Sequence, residues 1–182
     1  MKGSASSKLF TSWNNKFEDF DGGIEEFTNM VTHALGTVLS VVALVVMVWV
    51  AATKGSSLGI IGGVVFGSAL ILAYSASTLL HLPWIKQLKM RFLVLDQTMI
   101  FVLIAGTYTP VVLLAFPLVW AVSILTMIWG LAVAGIVLRL TYFSPDSLVL
   151  TGLYLALGWI GVLFGYWLVA AVGWTVVGLI LT

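Results

Sequence analysis

The chain contains no cysteine, which excludes disulfide crosslinks, a thiolate nucleophile and thiolate metal ligands. Histidine is nearly as scarce. With only two in 182 residues, any metal chemistry has to draw on His33, His81 and a handful of carboxylates. Charge is the third shortage: 8 Lys and Arg with 7 Asp and Glu make up 8% of the chain. An average soluble domain carries about 25%. So few charges cannot coat a globule of this size, and a net charge of +1 leaves no basic footprint for nucleic acid. Apolar residues supply 61% of the chain, and the mean hydropathy is +1.15. The composition is that of an integral membrane protein.

Residues 1–24 differ from all that follows. They hold Lys2, Lys8, Lys16, Glu18, Asp19 and Asp21, and no apolar run follows Met1 and Lys2, so a cleaved secretory signal is not expected. Phe10, Trp13, Phe17 and Phe20 recur at the spacing of one helical face. An aromatic stripe beside Lys8 and Lys16 predicts a helix lying among the lipid headgroups, closed by Asp21-Gly22-Gly23; the plainer alternative is a tail packed on the protein's own loops. Residues 25–182 read as a transmembrane helical domain. Apolar runs of spanning length, about 20 residues for a core of about 30 Å, fall at 33–52, 58–81, 93–115, 118–139 and 147–167, with a partial run at 172–182. The breaks are Lys54-Gly55-Ser56-Ser57, Pro83 to Arg91, Phe116-Pro117 and Ser144-Pro145-Asp146.

These spans sort the basic residues. With the N-terminus in the cytoplasm, Lys2, Lys8, Lys16, Lys86, Lys89, Arg91 and Arg139 lie inside and only Lys54 outside. The positive-inside rule therefore predicts a cytoplasmic N-terminus. Gly59, Gly63 and Gly67 on the second span, and Gly161 and Gly165 on the fifth, predict close helix–helix approach within the bundle. Pro110 is expected to kink the third span, because it frees a carbonyl there.

In so apolar a chain, an ionisable group within or beside a span needs a reason. Glu26, His33, His81 and Asp96 are the candidates, and the topology brings them together. His33 opens span one, His81 closes span two, and Asp96 sits just inside span three, all at the cytoplasmic depth. Glu26, Asn29, His33 and Gly36 fall within about 80° of a helical wheel, and Tyr74, Ser77 and His81 share a second face. Asp96 needs a partner, and His81 is the nearest in sequence. Neutral imidazole and carboxylate are zinc-binding types, and a carboxylate also orients a bound water or fixes a histidine tautomer. Each residue taken singly is equally a cap or a local backbone bond; the cluster on three helices points to a polar site.

The run Glu26-Phe27-Thr28-Asn29-Met30-Val31-Thr32-His33-Ala34-Leu35-Gly36 resembles the E-x-x-N-x-x-T-H-x-x-G signature of the hemolysin III and progestin/adipoQ receptor family. Ser75-Ala76-Ser77-Thr78-Leu79-Leu80-His81 is similar to its second-helix Ser-x-x-x-His motif. Leu95-Asp96 with Leu103 to Pro110, and Leu153-Tyr154 through Gly158-Trp159, resemble later motifs in the same order. The resemblance, over about residues 24 to 182, implies an all-α seven-helix transmembrane bundle, of which five helices and part of a sixth are present. It implies a zinc ion near the cytoplasmic face, bound by His81 and by two histidines of an H-x-x-x-H motif on the seventh helix. Ser77 and Asp96 belong beside that zinc, Asp96 holding a metal-bound water, while Glu26, Asn29 and His33 match a motif of structural or supporting role. No H-x-x-x-H is present, because His33 and His81 are the only histidines. The chain is thus expected to be a fragment that binds zinc weakly or not at all, unless His33 joins His81 and Asp96.

Two functions follow from the resemblance. One is a zinc-dependent, ceramidase-like hydrolase of lipid amides or esters, with Asp96 as general base and Ser77 steadying the developing charge. The other is a non-enzymatic receptor-like or pore-associated cytolytic protein with structural zinc. Membrane lipids are the expected partners, and a bacterial inner membrane the expected location. Ion transport would need charges through the bilayer's depth, and spans four and five carry none away from their ends.

Overall fold

A computed structural model of the protein describes residues 23–82, 88–142 and 147–163. Among them are five helices and no strand: α1 (Gly23–Thr53), α2 (Ser57–Leu80), α3 (Lys89–Ala115), α4 (Leu118–Thr141) and α5 (Leu148–Leu163). The helices α1 to α4 are each long and apolar enough to cross a membrane. The predicted interfacial helix and the partial run at 172–182 lie outside the described residues.

The helices outrun the apolar spans at one end of the bundle. α1 begins at Gly23 rather than near residue 33, and α3 at Lys89 rather than 93. Hydropathy marks where a span leaves hydrocarbon, whereas the backbone stays helical beyond it. Glu25 and Glu26 in the first turn of α1 suit the positive end of its dipole. Gly23 opens α1, and the helix expected to end at Asp21-Gly22-Gly23 lies outside the described residues.

The turns follow the sequence. Gly55 takes φ +64° between α1 and α2, a left-handed conformation that glycine adopts without a Cβ clash. Ser56 caps α2, its hydroxyl accepting from the Gly59 amide at 3.0 Å. The α3–α4 connection is the short Phe116-Pro117 turn.

α3 is the central helix, packed against α2, α4 and α5. Small residues set the α1–α2–α3 seams. A Cβ on Gly67 would stand 2.7 Å from the Leu44 Cβ on α1, and one on Gly63 3.3 Å from that of Met47. Gly62 faces Pro110 of α3 as closely, at 2.7 Å from its Cα. These glycines therefore serve packing within the chain, as expected for small-residue registers. α3 runs through Pro110 without a helix break.

On the other side, Phe101 and Ala105 of α3, Ile128 and Ala132 of α4, and Leu150 and Leu157 of α5 form the main core. Beside it, a cavity of about 270 Å³ is lined by Phe101, Gly135, Leu138, Leu153 and Leu157, among others. Leu35, Val38, Val42, Val45 and Trp49 on α1 stay exposed, as lipid-facing side chains do.

Candidate functional site

Four helix ends meet where α1 and α3 begin and α2 and α4 finish, and most of the buried charge gathers there. His81 is the C-cap of α2, its amide bonded to the Ser77 carbonyl at 3.2 Å. This places the Ser77 hydroxyl one turn deeper than the His81 ring, since both lie on one helical face. Ser77 Oγ donates to Asp96 Oδ1, a short contact between α2 and α3. The His81 ring reaches instead toward α1, with Nδ1 3.1 Å from Glu26 Oε2. Glu26 Oε1 takes a second partner, Lys89 Nζ at 2.7 Å, from the first turn of α3. Both ends of that ion pair are largely covered, with 11% of the lysine and 12% of the glutamate side chain exposed.

His33 lies flat against His81, ring centroids 5.5 Å apart and planes 8° from parallel. Its other side meets Tyr74 at 6.1 Å. A glycine is needed beneath Tyr74, for a Cβ on Gly36 would come within 2.6 Å of that ring. Asn29 is half-buried, and its carbonyl accepts from the Thr32 hydroxyl at 2.9 Å.

The structure thus brings Glu26, His33, Ser77, His81 and Asp96 to one end of α1, α2 and α3, with a different pairing from the one that sequence proximity suggests. Asp96 pairs with Ser77, and His81 with Glu26. The reason is depth. Asp96 lies two turns into α3, level with Ser77, while His81 sits at the helix end nearer the start of α1.

Four further residues, none of them a site candidate from sequence, add polar contacts at this end of the bundle. Lys89 neutralises Glu26. Arg139, only 5% exposed, donates from Nε to Gln97 Oε1 at 2.7 Å, and the Tyr154 hydroxyl donates to the Gln97 carbonyl at 2.9 Å. This second polar cluster ties α3, α4 and α5 one residue past Asp96. Lys89 and Arg139 near span ends read in sequence as topology markers; their low exposure is the signal that only a folded chain provides.

Among the described residues no group of three or more His, Asp or Glu side chains is arranged to hold a metal ion. The set His33, His81 and Asp96 does not form one. The lone pairs of stacked rings lie in separate, nearly parallel planes and so do not converge on one point. A catalytic zinc takes three protein ligands plus water. His81 Nε2 and Asp96 offer two, so the described residues do not by themselves fit zinc.

The sequence profile described as "Haemolysin-III related" matches residues 23–181. The chain belongs to the haemolysin-III family. Two curated relatives agree with the assignment. This haemolysin-III family member is 38% identical over 136 residues, 75% of its length, to the Hemolysin-3 homolog of Bacillus subtilis (strain 168). It is 35% identical over 138 residues, again 75% of its length, to Hemolysin-3 of Bacillus cereus. The matches cover 64% and 62% of those two proteins, so the chain spans less than two thirds of the length of either. No solved structure matches this haemolysin-III chain. With four spanning helices, the family assignment makes it an integral membrane protein.

Proposed function

We propose that this haemolysin-III protein is a membrane-embedded hydrolase of lipid amides or esters, with the Ser77–Asp96 pair as its working groups. The observation that supports this reading is a carboxylate held by a hydroxyl two turns inside an apolar bundle, where an ionisable group is costly and marks a functional site. Asp96 accepts the proton of the water that adds to the carbonyl carbon. It returns that proton to the leaving amine or alkoxide as the C–N or C–O bond breaks. Ser77 holds the ionised carboxylate in place; once Asp96 has taken the water proton, the same hydroxyl proton turns to the oxygen on which charge develops.

Were donors outside the described residues to complete a zinc site, His81 would be a ligand and Asp96 would hold the metal-bound water, and the metal would supply carbonyl polarisation and a more acidic water. The site faces the cytoplasmic leaflet of a bacterial inner membrane, an orientation favoured by seven of the eight basic residues. Membrane lipids are then both solvent and substrate.

Purified protein in lipid nanodiscs is expected to release fatty acid from ceramide-type amides or from acyl esters. Asp96→Asn is expected to lower that rate at least about a hundredfold, the usual share of a general base. Wild-type protein inert toward both lipid classes would end the enzymatic reading. A second reading, a pore-associated cytolytic protein, is favoured by the name Hemolysin-3 carried by the Bacillus cereus relative. Dye release from liposomes that Asp96→Asn leaves unchanged would select it.

A further inference from the structure

The contact between Glu26 and His81 settles more than where the ring lies. Glu26 shares its two oxygens between two helices: Oε1 faces the Lys89 ammonium at 2.7 Å and Oε2 faces His81 Nδ1 at 3.1 Å. A carboxylate in an ion pair with lysine is ionised, and an ionised carboxylate only accepts hydrogen bonds. The proton in the second contact therefore sits on His81 Nδ1. A neutral imidazole with its proton on Nδ1 carries its lone pair on Nε2. His33, flat against the ring at 5.5 Å, limits its rotation.

We infer that Glu26, charged and anchored by Lys89, is the positioning residue of His81, holding it as the Nδ1–H tautomer so that Nε2 is its electron-pair donor. Residues on α1 and α3 thereby choose which nitrogen of an α2 side chain is able to bind a ligand or take a proton. This deepens the proposed function, on which the catalytic use of Nε2 rests; the tautomer itself does not depend on it. It also gives the Glu26 motif and Lys89 a task besides pinning helices. A carboxylate behind an imidazole selects the tautomer and fixes the ring's orientation.

Because the chain has only two histidines, the test is direct. The full chain carrying His33→Gln and ¹⁵N-labelled histidine, in nanodiscs above the pH at which imidazole ionises, shows one imidazole spin system by NMR. The expected result is a protonated Nδ1 and an unprotonated Nε2. Adding Glu26→Gln is expected to lower the Nδ1–H to Nε2–H ratio about tenfold, the discrimination carried by one hydrogen bond to a charged acceptor. A predominantly Nε2–H ring with Glu26 intact overturns the inference before Glu26 is altered, so misfolding of Glu26→Gln cannot shelter it. An unchanged ratio in folded Glu26→Gln overturns it as well. Lipid hydrolysis by unlabelled wild-type protein decides the enzymatic reading separately, since the NMR measurement needs no substrate or turnover.

Discussion

The two sides of α3 are held by different forces. On the α1–α2 side of the bundle, backbones approach over glycine. Between α1 and α2, Gly67 meets Leu44 and Gly63 meets Met47; against α3, Gly62 meets Pro110 while Gly106 of α3 meets Ala69. Toward α4 and α5, large side chains fill the space, a cavity remains, and tyrosines pin the helices. The Tyr108 hydroxyl donates to the Gly158 carbonyl at 2.6 Å and accepts from the Gly161 amide at 2.7 Å. Tyr154 makes the matching contact to Gln97. Lipid tails are as apolar as leucine, so helices in a bilayer associate through close packing and interhelical hydrogen bonds rather than hydrophobic transfer. This molecule uses the first means on one side and leans on the second on the other. The polar cluster sits at the end of the close-packed side, where backbones are least free to drift.

The contrast is open to attack by substitution. The largest effect is expected on the α4–α5 side from Phe101→Ala, which empties the most central ring of the core, 1% exposed and 4.5 Å from Tyr154. A loss of about 3 kcal/mol is expected in detergent-micelle unfolding, as for buried aromatic truncations. Gly67→Leu attacks the other side by driving α1 and α2 apart. It is expected to cost about 2 kcal/mol in the same assay. Gly130→Leu, where a Cβ meets nothing within 4 Å, is expected to change almost nothing. Equal losses from the two glycine variants would erase the distinction between a packed seam and a lipid face.

Tyr108→Phe leaves the packing and removes the hydroxyl. About 1 kcal/mol is expected, at the upper part of the range for hydrogen bonds inside membranes. A loss below the assay's resolution would mean that the pin on α5 carries no weight.

Sequence reached the architecture because hydrocarbon imposes length and polarity on every span. Four spanning helices, the Lys54–Ser57 and Phe116-Pro117 turns and the glycine seam were all legible in that way. The helix starts were not. Glu25, Glu26 and Lys89 are too polar for a hydropathy window, yet they continue helices past the membrane's apolar edge. Within the candidate site, residue type and depth drew attention to Ser77, His81 and Asp96. Pairing was illegible, because which carboxylate meets which partner depends on rotations of a helix about its axis that periodicity leaves undetermined. The roles of Tyr108 and Tyr154, which sequence offered only as members of motif stretches, were illegible for another reason. A tyrosine in an apolar run looks like any aromatic until its hydroxyl is seen to end on a neighbouring backbone.

The Glu26 contacts also impose an order on biosynthesis. His81 follows Glu26 by 55 residues, and Lys89 comes later still. At about 5–20 residues per second, the carboxylate leaves the ribosome roughly 3 to 10 seconds before either partner exists. During that interval the start of α1 has no cation from α3 to hold it, and water at the membrane surface is its only counterpart. Arrival of Lys89 then supplies the contact that ties the start of α3 to the start of α1.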